Sequence, residues 1–288
     1  MTDHRGLTRG PRARLGLALA TAAVGGLATA CGGGVAASSS PAVSSAAARP
    51  PVAAVQAAAA GPAVASGSQA KPLAGKVVGI DPGHNGRNGS DPAYLNHLIW
   101  NGREWEACDT TGTQTNGGYT EARFNFNVAT YLRRYLQQDG ARVVLTRHNN
   151  HGVGPCVNRR SRIINHAHAN VAIDIHADGG PSWGRGFTVL EPVADGPNNK
   201  VIKSSERFGR DVRSAFLRYT TMPVSDYYGH DGIIFRDDLA GLNLTTVPKV
   251  LIETGNMRNA TDARLLTSAR FQREIARALE AAIIRFLR

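Results

Sequence analysis

From residue 76 to the C-terminus, short apolar runs alternate with longer stretches in which apolar residues return every three or four positions. Runs of the first kind read as buried strands, and stretches of the second as amphipathic helices. Residues 76–81 (KVVGID) form a strand stopped by Pro82-Gly83. Residues 120–138 place Phe124, Val128, Tyr131, Leu132, Tyr135 and Leu136 on one face, with Gly140 just beyond, which predicts a helix. Strands follow at 141–146 (ARVVLT), 171–176 (VAIDIH), 186–191 (GFTVLE) and 249–253 (KVLIE). Helices are expected at 157–168, at 204–219 around Phe208, Val212 and Phe216, and at 268–287 around Phe271, Ile275, Leu279 and Phe286. This order predicts an α/β single domain, with a mostly parallel or mixed central sheet and helices on both faces. No segment repeats.

The N-terminal quarter breaks this pattern. Residues 32–70 contain 15 Ala, 7 Ser, 5 Gly and 4 Pro, and Arg49 is their single charge. Such a stretch has too little to bury to offset its ordering entropy. Ahead of it, Arg5, Arg9, Arg12 and Arg14 precede a charge-free apolar run over 15–30. That run is short for a membrane span and suits the core of an export signal. Ala28-Thr29-Ala30 fits ordinary signal cleavage, and the same residues ahead of Cys31 fit a lipoprotein signal with Cys31 acylated. The expected organisation is a signal peptide at 1–30, a flexible tether at 31–70 and a catalytic domain at 71–288. The protein is then exported to the cell envelope, as a lipid-anchored or a secreted monomer.

Charge and cysteine content refine this picture. Lys+Arg 33 against Asp+Glu 22 gives a net charge of +11, spread over helices without the stripe of a nucleic-acid-binding motif. No nucleic-acid partner is expected, and membrane contact only through a lipid at Cys31. Of the three cysteines, Cys108 and Cys156 stay in the domain, and in an exported chain such a pair is expected as a disulfide. Thiolate metal ligation is the weaker reading, since no CxxC spacing supports it.

The strand ends carry the polar residues. His84 follows the first strand, His176 ends the third, Glu253 ends the last, and Glu121 opens the first helix. Ligands in open α/β sheets bind at the carboxyl edge of the strands. Two histidines and a carboxylate form a catalytic zinc set, and a further carboxylate can move protons. Each residue also has a plainer reading: Glu121 as a charge suited to the helix dipole, His176 as a strand-end histidine bonded to a loop. Glu253 on an apolar strand is costly unless paired or ligated.

Four motifs in order, VVGIDPGHNG, GGYTEARFNFNVA, VAIDIHADG and PKVLIETGNMRN, resemble those of the zinc-dependent N-acetylmuramoyl-L-alanine amidases of the amidase-3 type. The resemblance runs from about residue 76 to the C-terminus. It implies one Zn²⁺ held by His84, Glu121 and His176, with Glu253 as the catalytic glutamate. The implied substrate is peptidoglycan or muropeptides, cleaved between N-acetylmuramic acid and L-alanine. Thr146-Arg147 and Asn165 match family positions read as structural. This chain departs from the pattern at Asn85, at Asn150, and above all in the 37-residue step from His84 to Glu121. The insertion at 85–118 holds Trp100, Trp105 and Cys108 and reads as a partial lid, a substrate-binding loop or decoration. A zinc peptidase acting on the stem peptide and a non-catalytic wall-binding lipoprotein are the alternative functions.

Overall fold

The computed structural model describes residues 71–288; the expected signal peptide, tether and Cys31 lie outside the described residues. In chain order the elements begin with β1 (Val77–Pro82), α1 (Pro92–Asn96), β2 (Leu98–Trp100) and β3 (Trp105–Ala107). Next come α2 (Glu121–Gln138), β4 (Arg142–Leu145), α3 (Val157–His166) and β5 (Val171–Asp178). The chain continues through β6 (Thr188–Pro192), α4 (Ile202–Tyr219), β7 (Ile233–Arg236) and α5 (Ala240–Asn243). It closes with β8 (Lys249–Asn256), α6 (Ala260–Leu266) and α7 (Ala269–Leu287). Among the described residues no helix is long and apolar enough to cross a membrane.

Six strands form one sheet in the order β4-β1-β5-β8-β6-β7, and β2 pairs with β3 in a separate hairpin. β4, β1, β5 and β8 are parallel, while β6 runs antiparallel to β8 and pairs in parallel with β7. The α/β domain with a mixed, mostly parallel sheet is as the sequence predicts. Alternation within the strands sorts the two faces. Val78, Ile80, Ile173, Ile175, Val250 and Ile252 pack with α2, α4 and α7 in the main core. There Phe124, Phe208 and Ile275 are fully buried. Burial of one such side chain contributes about 1.5–3 kcal/mol relative to exposure. The opposite face packs Ala172 on Ile164 of α3, and Leu190 and Leu251 on Leu242 of α5.

The predicted strands and helices are present with ends shifted by a few residues. Five regions escaped the pattern: α1, the β2–β3 hairpin, β7, α5 and α6. Every helix and strand in them is seven residues or shorter, too short to show a period. α6 is fixed instead by its cap, Asn259 Oδ1 accepting from the backbone N–H of Thr261 and Asp262.

Candidate active site and metal centre

Because β1, β5 and β8 are parallel neighbours, their carboxyl ends meet on one edge, and His176 and Glu253 are register partners there. His84 enters from the turn after β1 with φ +58, a left-handed backbone that few non-glycine residues adopt. Its carbonyl is held by Arg160 Nη2 at 2.9 Å. Glu121 begins α2, where Thr120 caps the helix by accepting from Arg123 N–H. Gly83 is the close approach that allows this assembly, since a Cβ there would overlap the His176 ring.

The three predicted ligands converge. His84 Nε2 lies 3.2 Å from Glu121 Oε2, and His176 Nδ1 lies 2.9 Å from Glu121 Oε1. Their ligand atoms all fall within 4.8 Å of one another, so small side-chain adjustments bring them to a cation with bonds of about 2.0–2.2 Å. The imidazoles meet edge to face, with centroids 4.9 Å apart. The Glu121 carboxylate also accepts from Thr113 N–H at 2.9 Å and Ala177 N–H at 3.2 Å. Glu253 stands beside this group. Its Oε2 is buried with no hydrogen-bond partner among the described residues.

The electrostatics favour a cation. Around the two imidazoles the network holds the carboxylates of Asp81, Asp109, Glu121, Asp174 and Glu253. Against them stand Arg147, Arg160 and Lys249, so the carboxylates outnumber the fixed cations. Lys249 is fully buried and bridges Asp81 at 2.8 Å and Asp174 at 3.3 Å. Arg160 spans Asp81 and Asp109, both at 3.1 Å. Without a metal the surplus falls on protons. Burial opposes charge on His84, but Glu121 and Asp109 outweigh it and hold the imidazole up at about 9. His176 is raised for the same reasons, burial again being outweighed, by Asp174 and Glu121. Burial pushes Glu253 up to about 8, and Glu121 and Asp178 add to the rise. Glu121, between two imidazoles, is held well below the usual carboxylate range despite its burial. The donor set and the charge balance both fit a divalent cation.

Sequence reasoning missed the buried ionic network behind the ligands. The signal was present: Asp81, Asp174 and Lys249 sit on otherwise apolar strands, where a charge needs a partner. The positions expected to be structural have defined partners. Thr146 Oγ1 donates to Asp81 at 2.6 Å, and Arg147 caps the carbonyls of Pro82, Gly83 and Ala122. Asn165 donates to Leu244 O and accepts from Thr246 N–H. Cys108 and Cys156 are joined in a disulfide. His97 Nε2 lies 3.5 Å from Cys156 Sγ, but the sulfurs are spent on each other, so this cluster is not a second metal site. The 85–118 insertion wraps the centre: Asp109 and the Thr110 carbonyl face His84 Nδ1, and Thr113 N–H reaches Glu121. A cleft of about 250 Å³ opens beside His84 and His176, between Ala107 of the insertion and Leu239, Leu242 and Leu251.

Two histidines and a carboxylate, with a fourth acidic group left unpartnered beside them at a sheet edge, are the kind of site that metal-dependent hydrolases use. Comparison with known proteins gives the family. Residues 78–285 match the N-acetylmuramoyl-L-alanine amidase family, to which the chain belongs. N-acetylmuramoyl-L-alanine amidase Rv3717 of Mycobacterium tuberculosis is 39% identical over 222 residues, covering 75% of this chain and 88% of the relative. The crystal structure of the amidase Ami1 from Mycobacterium smegmatis superposes with a TM-score of 0.71 at 36% identity, covering 75% of this chain and 98% of that one. Ami1 from Mycobacterium abscessus gives 0.71 at 38%, covering 75% and 100%.

Proposed function

We propose that this amidase hydrolyses the amide bond between the lactyl group of N-acetylmuramic acid and L-alanine in peptidoglycan, using one zinc ion. His84, Glu121 and His176 would hold the metal, with Glu253 as general base. The observation that carries this reading is the convergence of three ligand atoms beside the unpartnered Glu253 Oε2. Zinc bound there would supply Lewis acidity, polarising the scissile carbonyl and bringing water toward a pKa of about 7. Glu253 takes a proton from water as its oxygen adds to the carbonyl carbon. It then returns that proton to the alanine nitrogen as the C–N bond breaks. A carboxylate raised toward neutrality is suited to both transfers. No covalent intermediate on the protein is required: the two domain cysteines are bonded to each other, and the one GxSxG string, Gly180–Gly184, lies in the loop between β5 and β6 rather than on the strand-to-helix turn that exposes a nucleophilic serine.

The organisation that accompanies this reading is export by residues 1–30, with 31–70 as tether and Cys31 as the lipid site. A zinc peptidase cutting the stem peptide would use the same ligands; the family match favours the amidase. Digestion of purified peptidoglycan, with and without chelator, tests both. The expected product is a new L-alanine amino terminus, formed only without chelator. A new amino group on another residue would establish the peptidase, and unchanged cleavage after full metal removal would end the zinc reading. His84→Ala and His176→Ala should lose metal and activity together.

A further inference from the structure

The ligand histidines present one nitrogen each to Glu121, which leaves the question of what fixes the other. For His176, Asp174 Oδ1 lies 3.3 Å from Nε2, at ion-pair distance but outside hydrogen-bond geometry. For His84 the arrangement is more complete. Nδ1 meets Asp109 Oδ1 at 3.2 Å, Thr110 O at 3.1 Å and Thr110 Oγ1 at 3.2 Å. The carboxylate and the carbonyl can only accept, so Nδ1 donates to them, and Nε2, the nitrogen facing Glu121, is the one left for a metal.

Asp109, which is not a ligand, belongs neither to the sheet nor to α2, which together position His84, His176 and Glu121. It lies in the 85–118 insertion and is 5% exposed. Three contacts hold it. Oδ1 accepts from Thr110 N–H at 2.7 Å, and Oδ2 accepts from Arg160 Nη2 at 3.1 Å. The preceding residue is Cys108, bonded to Cys156, whose carbonyl begins α3 by accepting from Arg160 N–H at 3.0 Å. Arg160 reaches forward from α3 to the carbonyl of His84 and to Asp109 together. The disulfide and Arg160 thus tie the insertion to the one helix that also grips the His84 backbone.

We propose that Asp109 is the positioning residue for His84 as a zinc ligand, and that the Cys108–Cys156 bond, by holding Asp109 in place, sets the metal affinity of the site. This rests on the zinc reading given above. It assigns the insertion a part in building the centre, whatever else its outer surface does. Hydrogen-bonding partners behind a ligand histidine typically change metal affinity by about 10–100-fold when removed.

The test is zinc affinity by competition with a chromophoric chelator on the full chain, with melting of the metal-free protein followed in parallel. Asp109→Ala should bind zinc about 10–100-fold more weakly. Asp109→Asn keeps an acceptor oxygen and should fall between Asp109→Ala and wild type, a rescue that a purely structural role would not give. The Cys108→Ser/Cys156→Ser double variant should also lose affinity. Adding Asp109→Ala to it should cost less than in the disulfide-bonded chain, because both act through one contact. If Asp109→Ala binds zinc within about twofold of wild type, the proposal is wrong while the zinc reading stands; wild-type protein that binds no zinc removes both. Should Asp109→Ala fail to fold, Asp109→Asn and the serine double variant decide the matter by the same affinity criterion.

Discussion

Glu253 occupies a position with no structural use for a carboxylate: it lies in the carboxyl half of the buried strand β8, and its Oε2 has no partner among the described residues. Burial pushes its carboxyl up to about 8, a cost that a general base justifies. Glu253→Gln keeps the shape and removes the base. The expected result is a folded protein with zinc retained near the wild-type level and turnover on peptidoglycan reduced by about 10²-fold or more. Loss of zinc in this variant would make Glu253 a ligand, and near-normal turnover would remove it from the chemistry. Gly83 is tested at the same scale. Its N–H donates to Ile175 O at 3.1 Å and its carbonyl accepts from Arg147 and Asn125. With its backbone fixed, an added Cβ must displace the His176 ring. Gly83→Ala should therefore weaken zinc binding by at least about tenfold, with an overpacking cost of about 1–3 kcal/mol. Isothermal titration with zinc and thermal melting of the same sample measure both, and unchanged zinc affinity would refute the close-approach role.

Among the elements, the insertion and α3 are joined in the most consequential way. Cys108 and Cys156 are 48 residues apart, so their bond closes a long loop in the unfolded chain. Around them Ile99 and Ala240 form a small apolar cluster apart from the main core. A segment with so little core of its own depends on the crosslink. Replacing both cysteines by serine should lower unfolding free energy by about 2–4 kcal/mol by the chain-entropy argument. Denaturant titration of variant and wild type under oxidising conditions measures this directly. A difference below about 0.5 kcal/mol, within the range of ordinary surface substitutions, would show that the loop entropy is not the stabilising factor.

For the whole molecule, stability is expected to vary with pH through a group outside the candidate site. Glu191 on β6 is 2% exposed, and Oε1 lacks a partner among the described residues. Burial, with Glu206 nearby, pushes its carboxyl from an ordinary 4.5 to about 7. Between those values the native protein keeps a proton that the unfolded chain gives up. The favourable contribution is complete below about pH 4.5 and is lost as pH rises through 7. Glu191→Gln removes this dependence. The stability difference, variant minus wild type, should rise across that window by roughly 2–3 kcal/mol, an upper range for a shift of this size. Chemical denaturation of both proteins at several pH values from 4.5 to 8 gives the difference. A difference that stays flat across the window would place the titration elsewhere.

The sequence by itself determined the alternation of strands and helices, because short apolar runs and longer stretches of helical period leave little choice of local structure. It also pointed to the candidate residues for the chemistry. His84, Glu121, His176 and Glu253 are polar groups at element ends, and four ordered motifs tie them to one family. The pairing of Cys108 with Cys156 followed from there being no other cysteine left in the domain. The tertiary structure decided what depends on neighbours distant in sequence. The reversal of β6 against β8 follows from how the chain returns to the sheet, which no local pattern encodes. The short elements β7, α5 and α6 are set by caps and packing, since four to seven residues carry no readable period. The ionic network of Asp81, Asp109, Arg160, Asp174 and Lys249 shows the same limit at the site. Each charge was visible in the sequence, but a buried charge is defined by its partner, and these partners lie between 51 and 168 residues apart. Asp109 is the sharpest case: in sequence it is one acidic residue in a loop, and only folding sets its oxygens against His84 and Arg160.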